Sequence, residues 1–119
     1  MKVLVTGGAG KLGSMVVKSL VKRGHHVNVF DLPYVDYSLV SRVSRVQFFK
    51  GDIATLEELR AGCEGVDAAL HLAAILPPHS EIDEEKTMLV NAEGTACVVK
   101  ALESTSSAPI IFSSSVSVY

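Results

Sequence analysis

Cysteine is scarce in this sequence: Cys63 and Cys97 stand 34 positions apart and without C-x-x-C spacing. That excludes a disulfide framework, and both read as thiols of a reducing compartment, here the cytoplasm. No long apolar run is present either. None approaches the roughly 18 residues of a membrane span, and Met1 to Thr6 runs into glycines too soon for a signal segment. Excess charge of one sign is also missing. Eleven Lys and Arg against thirteen Asp and Glu leave a net charge of −2, which gives no basic footprint for nucleic acid. The four histidines, His25, His26, His71 and His79, share no ligand spacing, so no metal is expected. A G-x-S-x-G elbow is absent, and with it the context for a Ser-His-Asp arrangement. What remains is 48% hydrophobic and 20% charged, with nine glycines and four prolines, which excludes disordered and collagen-like chains. The 119 residues suit one globular domain.

The apolar pattern alternates between two periods. Val3 to Val5 is a short β-branched run that predicts a buried strand. Leu12, Val16, Leu20 and Val21 then recur at helical spacing until Gly24. Further strands are predicted at Val27–Phe30, Val46–Phe49, Ala68–Leu72 and Ile110–Ser113, with a short helical turn within 34–44. Thr55 and Glu58 form a capping-box pattern before a helix ending near Gly62. Ser80 is expected to cap a long helix running to Glu103, its acidic first turn matching the helix dipole. Alternating strands and helices predict a doubly wound, Rossmann-like α/β fold: a parallel sheet in order 3-2-1-4-5 with helices on both faces.

The strongest chemical signal is Thr6-Gly-Gly-Ala-Gly-Lys-Leu-Gly13, placed between a strand and a helix. Gly7 permits a tight turn, Gly10 lets a pyrophosphate approach the backbone, and Gly13 lets the helix pack against the strand. The helix start then offers free amides and a positive dipole end. A Walker-type loop is excluded, because Val5 and Leu12 occupy the positions of its first glycine and its Ser or Thr. Asp31 ends the second strand about twenty residues later, where an acid bonds both ribose hydroxyls of an adenosine. An acid there repels a 2′-phosphate, favouring NAD over NADP. Lys11 is either a weak attraction for that phosphate or a solvated first-turn residue.

Asp31 and four further segments follow the glycine loop in order: Gly51-Asp52-Ile53, His71-Leu-Ala-Ala74, Asn91-Ala-Glu-Gly-Thr95 and the serine run Ser113 to Tyr119. In that order the chain resembles the N-terminal part of an extended short-chain dehydrogenase/reductase of the nucleotide-sugar epimerase/dehydratase type. The resemblance implies that Asp52 and Ile53 flank the adenine, and that Leu72, Ala73 and Ala74 line the pyrophosphate and ribose. Lys11 and Leu12 would lie beside the dinucleotide, as would Asn91, Ser113 and Ser114 near the reacting end. Ser115 matches the family's catalytic Ser or Thr, which bonds the substrate's reacting oxygen.

The family's proton-transfer pair, Tyr-x-x-x-Lys, is not found: Tyr34 and Tyr37 are followed at the fourth position by Ser38 and Ser41. The expectation is therefore an incomplete dinucleotide-binding domain over 1–119 without its substrate domain, inactive by itself. Its parent would be an NAD-dependent oxidoreductase acting on a sugar nucleotide or a similar hydroxyl or keto substrate. Two alternatives stand beside it: a non-catalytic dinucleotide-sensing module, and an NADP-dependent ketone reductase. The resemblance also implies a homodimer through the helix near 81–103, where Met88, Ala92, Val99 and Leu102 form one apolar stripe and Leu89, Cys97, Val98 and Ala101 another.

Overall fold

The structure is a computed structural model that describes residues 1–114. Its five strands are β1 (Lys2–Thr6), β2 (His26–Asp31), β3 (Val46–Lys50), β4 (Ala68–His71) and β5 (Ile110–Phe112). They form one parallel sheet in the order β3-β2-β1-β4-β5, as the alternation of strand and helix patterns requires. Period-two alternation sorts the side chains of β1 and β2 between the faces. Val3, Val5, Val27 and Val29 pack on one side with Val17 of helix α1 (Lys11–Lys22) and with Val40. Leu4, Phe30 and Ala69 pack on the other, against Leu59 and Cys63 of helix α2 (Leu56–Cys63) and Val98, Ala101 and Leu102 of the last helix. Asn28 points into that second layer and is buried. Its Nδ2 donates to the carbonyl of Gly62 at 2.8 Å, which satisfies the amide and ties β2 to the end of α2.

Within 34–44 the chain makes a single helical turn, with the Ser41 amide donating to Tyr37 O at 2.8 Å. This turn buries Val40 completely. Thr55 stands at the N-cap of α2, but its hydroxyl makes no capping bond. Glu58 reaches past it and accepts from the Asp52 amide at 2.6 Å. Gly51 makes room for this, since a Cβ there would meet Glu58 Oε2 at 2.6 Å.

The expected single helix from Ser80 is broken into pieces. A one-turn helix α3 (His79–Ile82) ends at Asp83, whose backbone is extended at φ −140° and ψ 91°. Asp83, not Ser80, is the working cap: its Oδ1 accepts from the Lys86 amide at 2.9 Å. Helix α4 (Glu84–Met88) follows, then a π-helical segment (Leu89–Glu93), then α5 (Gly94–Glu103). The π segment shifts the angular phase of everything after it. Met88 and Ala92 consequently face outward, while Leu102 joins Val98 and Ala101 on the sheet side. The first apolar stripe is thus divided between two faces.

Leu59 is fully enclosed by the α2–α5 layer. Leu59→Ala is expected to cost about 2–5 kcal/mol, read as a lower midpoint in urea unfolding with an unchanged slope.

Candidate functional site

The turn after β1 folds back on itself through glycine. Gly7 adopts φ +71°, donates to Phe30 O at 2.8 Å, and accepts from the Gly10 amide at 3.1 Å. A Cβ on Gly7 would lie 2.9 Å from the Ala73 amide nitrogen, so the turn and the end of β4 touch through backbone alone. Gly13 is as constrained from the other side. A Cβ there would collide with the Gly7 carbonyl, so its absence sets how close α1 comes to the turn. No side chain caps α1 among the described residues, and no acid occupies its first turn. Its leading amides and dipole end are left for an anion.

Asp31 closes the neighbouring wall at the carboxyl end of β2. Its Oδ2 accepts from the Ala9 amide at 3.0 Å and its Oδ1 from the Leu32 amide at 2.9 Å. The acid therefore holds the glycine turn in place and presents its charge to the same space. Asp52 turns its Oδ1 onto the Ala54 amide at 2.9 Å. Ile53 is buried rather than displayed, and presses so closely on Gly94 that a Cβ there would lie 2.7 Å from its Cδ1.

These walls enclose a cleft of about 1000 Å³ at the carboxyl edge of the sheet. It is lined by Gly7, Gly10, Lys11, Leu12, Gly13, Asp31, Asp52, Ile53, Leu72, Ala73 and Ala74, which brings eleven of the residues expected from sequence together. Asn91 does not line it. Its Oδ1 accepts from the Ile75 amide at 2.8 Å and its Nδ2 donates to Ile75 O at 3.0 Å, so it clamps the segment after β4 from behind. Ser113 and Ser114 are exposed just beyond β5, away from the cleft lining. Ser115 lies outside the described residues.

Sequence reading missed one wall: Tyr34, Val35, Asp36 and Leu39, from the irregular segment after Asp31, together with Met15 and Lys86. Its only sequence signal is large apolar side chains in a stretch without periodicity; Tyr34 is 76% exposed. Ser38 bonds to Asp36 through its amide and its hydroxyl, holding that carboxyl below its usual range. Tyr37 moves the opposite way. Burial, aided by the charge of Asp31, pushes its phenol up to about 12, and the hydroxyl donates to Leu32 O at 2.8 Å. Tyr37 is therefore a protonated strut, not a base.

Behind the cleft lies a group the sequence offered only as a histidine in a strand. His71 is 1% exposed. Its Nδ1 is 2.6 Å from Thr6 Oγ1 and its Nε2 is 2.9 Å from Thr95 Oγ1. Thr6 Oγ1 also accepts from the amides of Leu72 and Ala73, at 3.2 and 3.3 Å.

Residues 4–119 match the 3-beta hydroxysteroid dehydrogenase/isomerase family. The chain belongs to that family. A sterol-4-alpha-carboxylate 3-dehydrogenase (decarboxylating) of Mus musculus is 35% identical over 117 residues, 98% of this chain and 30% of that protein. A UDP-glucose 4-epimerase of Lactobacillus helveticus is 35% identical over 122 residues, covering all of this chain and 37% of that one. Among solved structures, a UDP-glucose 4-epimerase from Stenotrophomonas maltophila, with bound NAD and formylated UDP-arabinopyranose, superposes with a TM-score of 0.90 at 33% identity. That match covers all of this chain and 38% of the other. The chain thus spans about a third of the length of the relatives it matches. Among the described residues no helix is long and apolar enough to cross a membrane, and no group of three metal-ligating side chains converges.

Burial holds the His71 ring below its usual value of 6.5. The unfolded chain then takes up the proton first as pH falls, so the stability His71 supports is complete above pH 6.5 and is lost progressively below it. The melting temperature of the wild type should fall toward that of His71→Asn between pH 7 and pH 5. Thermal unfolding of both across that range measures the narrowing gap.

Proposed function

We propose that residues 1–119 are the dinucleotide-holding part of an NAD-dependent oxidoreductase whose substrate carries a hydroxyl or keto group. The observation that supports this best is the meeting of the glycine turn, the uncapped start of α1 and the Asp31 carboxylate around one cleft. The residues suit the cofactor in shape as well as charge. Beside Gly10 a Cβ would meet only Gly7 O, at 3.3 Å, which leaves the backbone open to a pyrophosphate. Asp31 would take the adenosine ribose, Asp52 and Ile53 the adenine, and Leu72 to Ala74 the ribose beyond the pyrophosphate. Lys11 and Leu12 would edge the diphosphate. NAD when bound supplies a hydride acceptor. The chain's own work is to bind it, orient it and, through Ser115, position the substrate's reacting oxygen, with Ser113 and Ser114 beside the dinucleotide.

The finer reading of the substrate is a sugar nucleotide, by likeness to the epimerases. One observation supports a second reading, an apolar carbocyclic alcohol. A neighbouring cavity of about 660 Å³ shares Ala74, Ile75, Leu76 and Lys86 with the cleft, and adds Pro77 and Ile82 with the polar His79 and Asp83. Leu76 and Ile82 are 68% and 78% exposed there, an apolar surface that a hexose would not cover. Exposed Met88 and Leu89 on the outer side of α4 and the π segment suit a second copy of the chain, the homodimer of the proposal. Burial pushes the Cys63 thiol up to about 11, which leaves it unreactive; the compartment we propose is the cytoplasm.

Calorimetric titration is expected to show NAD binding more tightly than NADP, with Asp31→Ala weakening NAD roughly tenfold and narrowing the difference. Equal or tighter NADP binding by the wild type would overturn the cofactor choice. A second measurement concerns rate. The sequence contains no Tyr-x-x-x-Lys, and a missing proton acceptor removes about 10²–10⁴-fold, so purified 1–119 should bind NAD without detectable dehydrogenase or epimerase turnover.

A further inference from the structure

The hydrogen bonds around His71 have only one consistent direction. Thr95 Oγ1 donates its single hydrogen to Asn91 O at 2.7 Å. It must therefore accept from His71 Nε2, 2.9 Å away, which places the ring proton on Nε2. Nδ1 is then an acceptor, and Thr6 Oγ1 donates to it. With its hydrogen committed, the Thr6 oxygen keeps two lone pairs, and these take the Leu72 and Ala73 amides. The Leu72 amide is shared with the backbone carbonyl of Thr6, also at 3.2 Å, so the Ala73 amide is the one that depends on the hydroxyl. Burial, which disfavours the imidazolium, keeps the ring in this neutral state.

The two amides at the end of this relay are those of the cleft wall, and Ala73 is the residue against which Gly7 packs. The other end of the relay is the π segment, where Asn91 clamps Ile75. We propose that Thr6, His71 and Thr95 are positioning residues for the dinucleotide, setting the distance between the glycine turn and the 72–75 wall through the Nε2–H tautomer of His71. None of the three lines the cleft, so each acts through the backbone it holds. The proposal rests on the assignment of NAD to this cleft.

The test uses the full chain and three readouts: NAD affinity by calorimetry, His71 nitrogen shifts by NMR, and hydrogen exchange of the Leu72 and Ala73 amides without ligand. The wild type is expected to show the neutral Nε2–H tautomer at pH 7. His71→Phe and Thr6→Val should weaken NAD roughly tenfold, the loss of about one hydrogen bond, and should speed exchange at Ala73 more than at Leu72, which keeps its bond to Thr6 O. Thr6→Ser, which retains the hydroxyl, should restore both. If His71→Phe does not fold, Thr95→Val serves instead: it removes the acceptor for Nε2–H together with the bond to Asn91 O, and should release the tautomer and weaken NAD severalfold. An Nδ1–H tautomer or an imidazolium in the wild type would overturn the proposal. So would folded Thr6→Val or Thr95→Val with NAD affinity within twofold of wild type. A wild type with the expected tautomer and slow exchange, but no affinity for NAD, would instead overturn the cofactor reading and the positioning role with it.

Discussion

The close approach of α1 to the turn before it is the contact on which the cleft depends. Gly13 rests on the Gly7 carbonyl, and Gly7 in turn rests on the Ala73 amide, with no side chain at either contact. The turn, the helix that follows it and the distant end of β4 thereby meet through backbone. One methyl group at Gly13 would drive the helix off the turn, and its leading amides would no longer face the space that Asp31 bounds. The left-handed conformation of Gly7 is part of the same arrangement, since it reverses the chain within one residue and brings the Gly10 amide back onto its carbonyl.

Charge is distributed unevenly around that space. Asp31, Asp36 and Asp52 stand on the side of β2 and β3, while Lys11 and Lys86 stand at the rim. At the glycine turn an anion would meet the leading amides of α1, which no side chain caps among the described residues. In the proposed reading such a site would recognise a diphosphate by shape and backbone geometry, with little dependence on side-chain ionisation. Discrimination between dinucleotides falls, in that same reading, to Asp31 among these acids. Tyr37, held protonated, braces the segment that carries one of those acids.

How much of this was legible in the sequence follows from how local each signal is. Strand order, the glycine turn and Asp31 were readable because period-two runs and glycine spacing carry them within a few residues. Glu58 was read as half of a capping box, yet it bonds Asp52, because the bare backbone of Gly51 offers a nearer seat. Ser80 lost its capping role to Asp83, since the two alternatives differ by three residues and the pattern allows either. The outward turn of Met88 escaped a 3.6-residue projection, which cannot represent a π segment. His71 escaped for another reason: its partners are 65 residues before it and 24 after it, and no window spans both.

The π segment has a consequence for how this helix tolerates change. Its wide turn inserts about a quarter of a revolution between Asn91 and the residues that follow. The amide of Asn91 can thus point at Ile75 while Val98, Ala101 and Leu102 still lie flat on the sheet. A straight helix of the same sequence would have to give up one of these two engagements. Deleting a single residue between 89 and 93 would produce a more regular helix and a better fit to ideal geometry, and would leave the loop after β4 without its clamp. In this region regularity and attachment oppose each other, and the chain keeps the attachment.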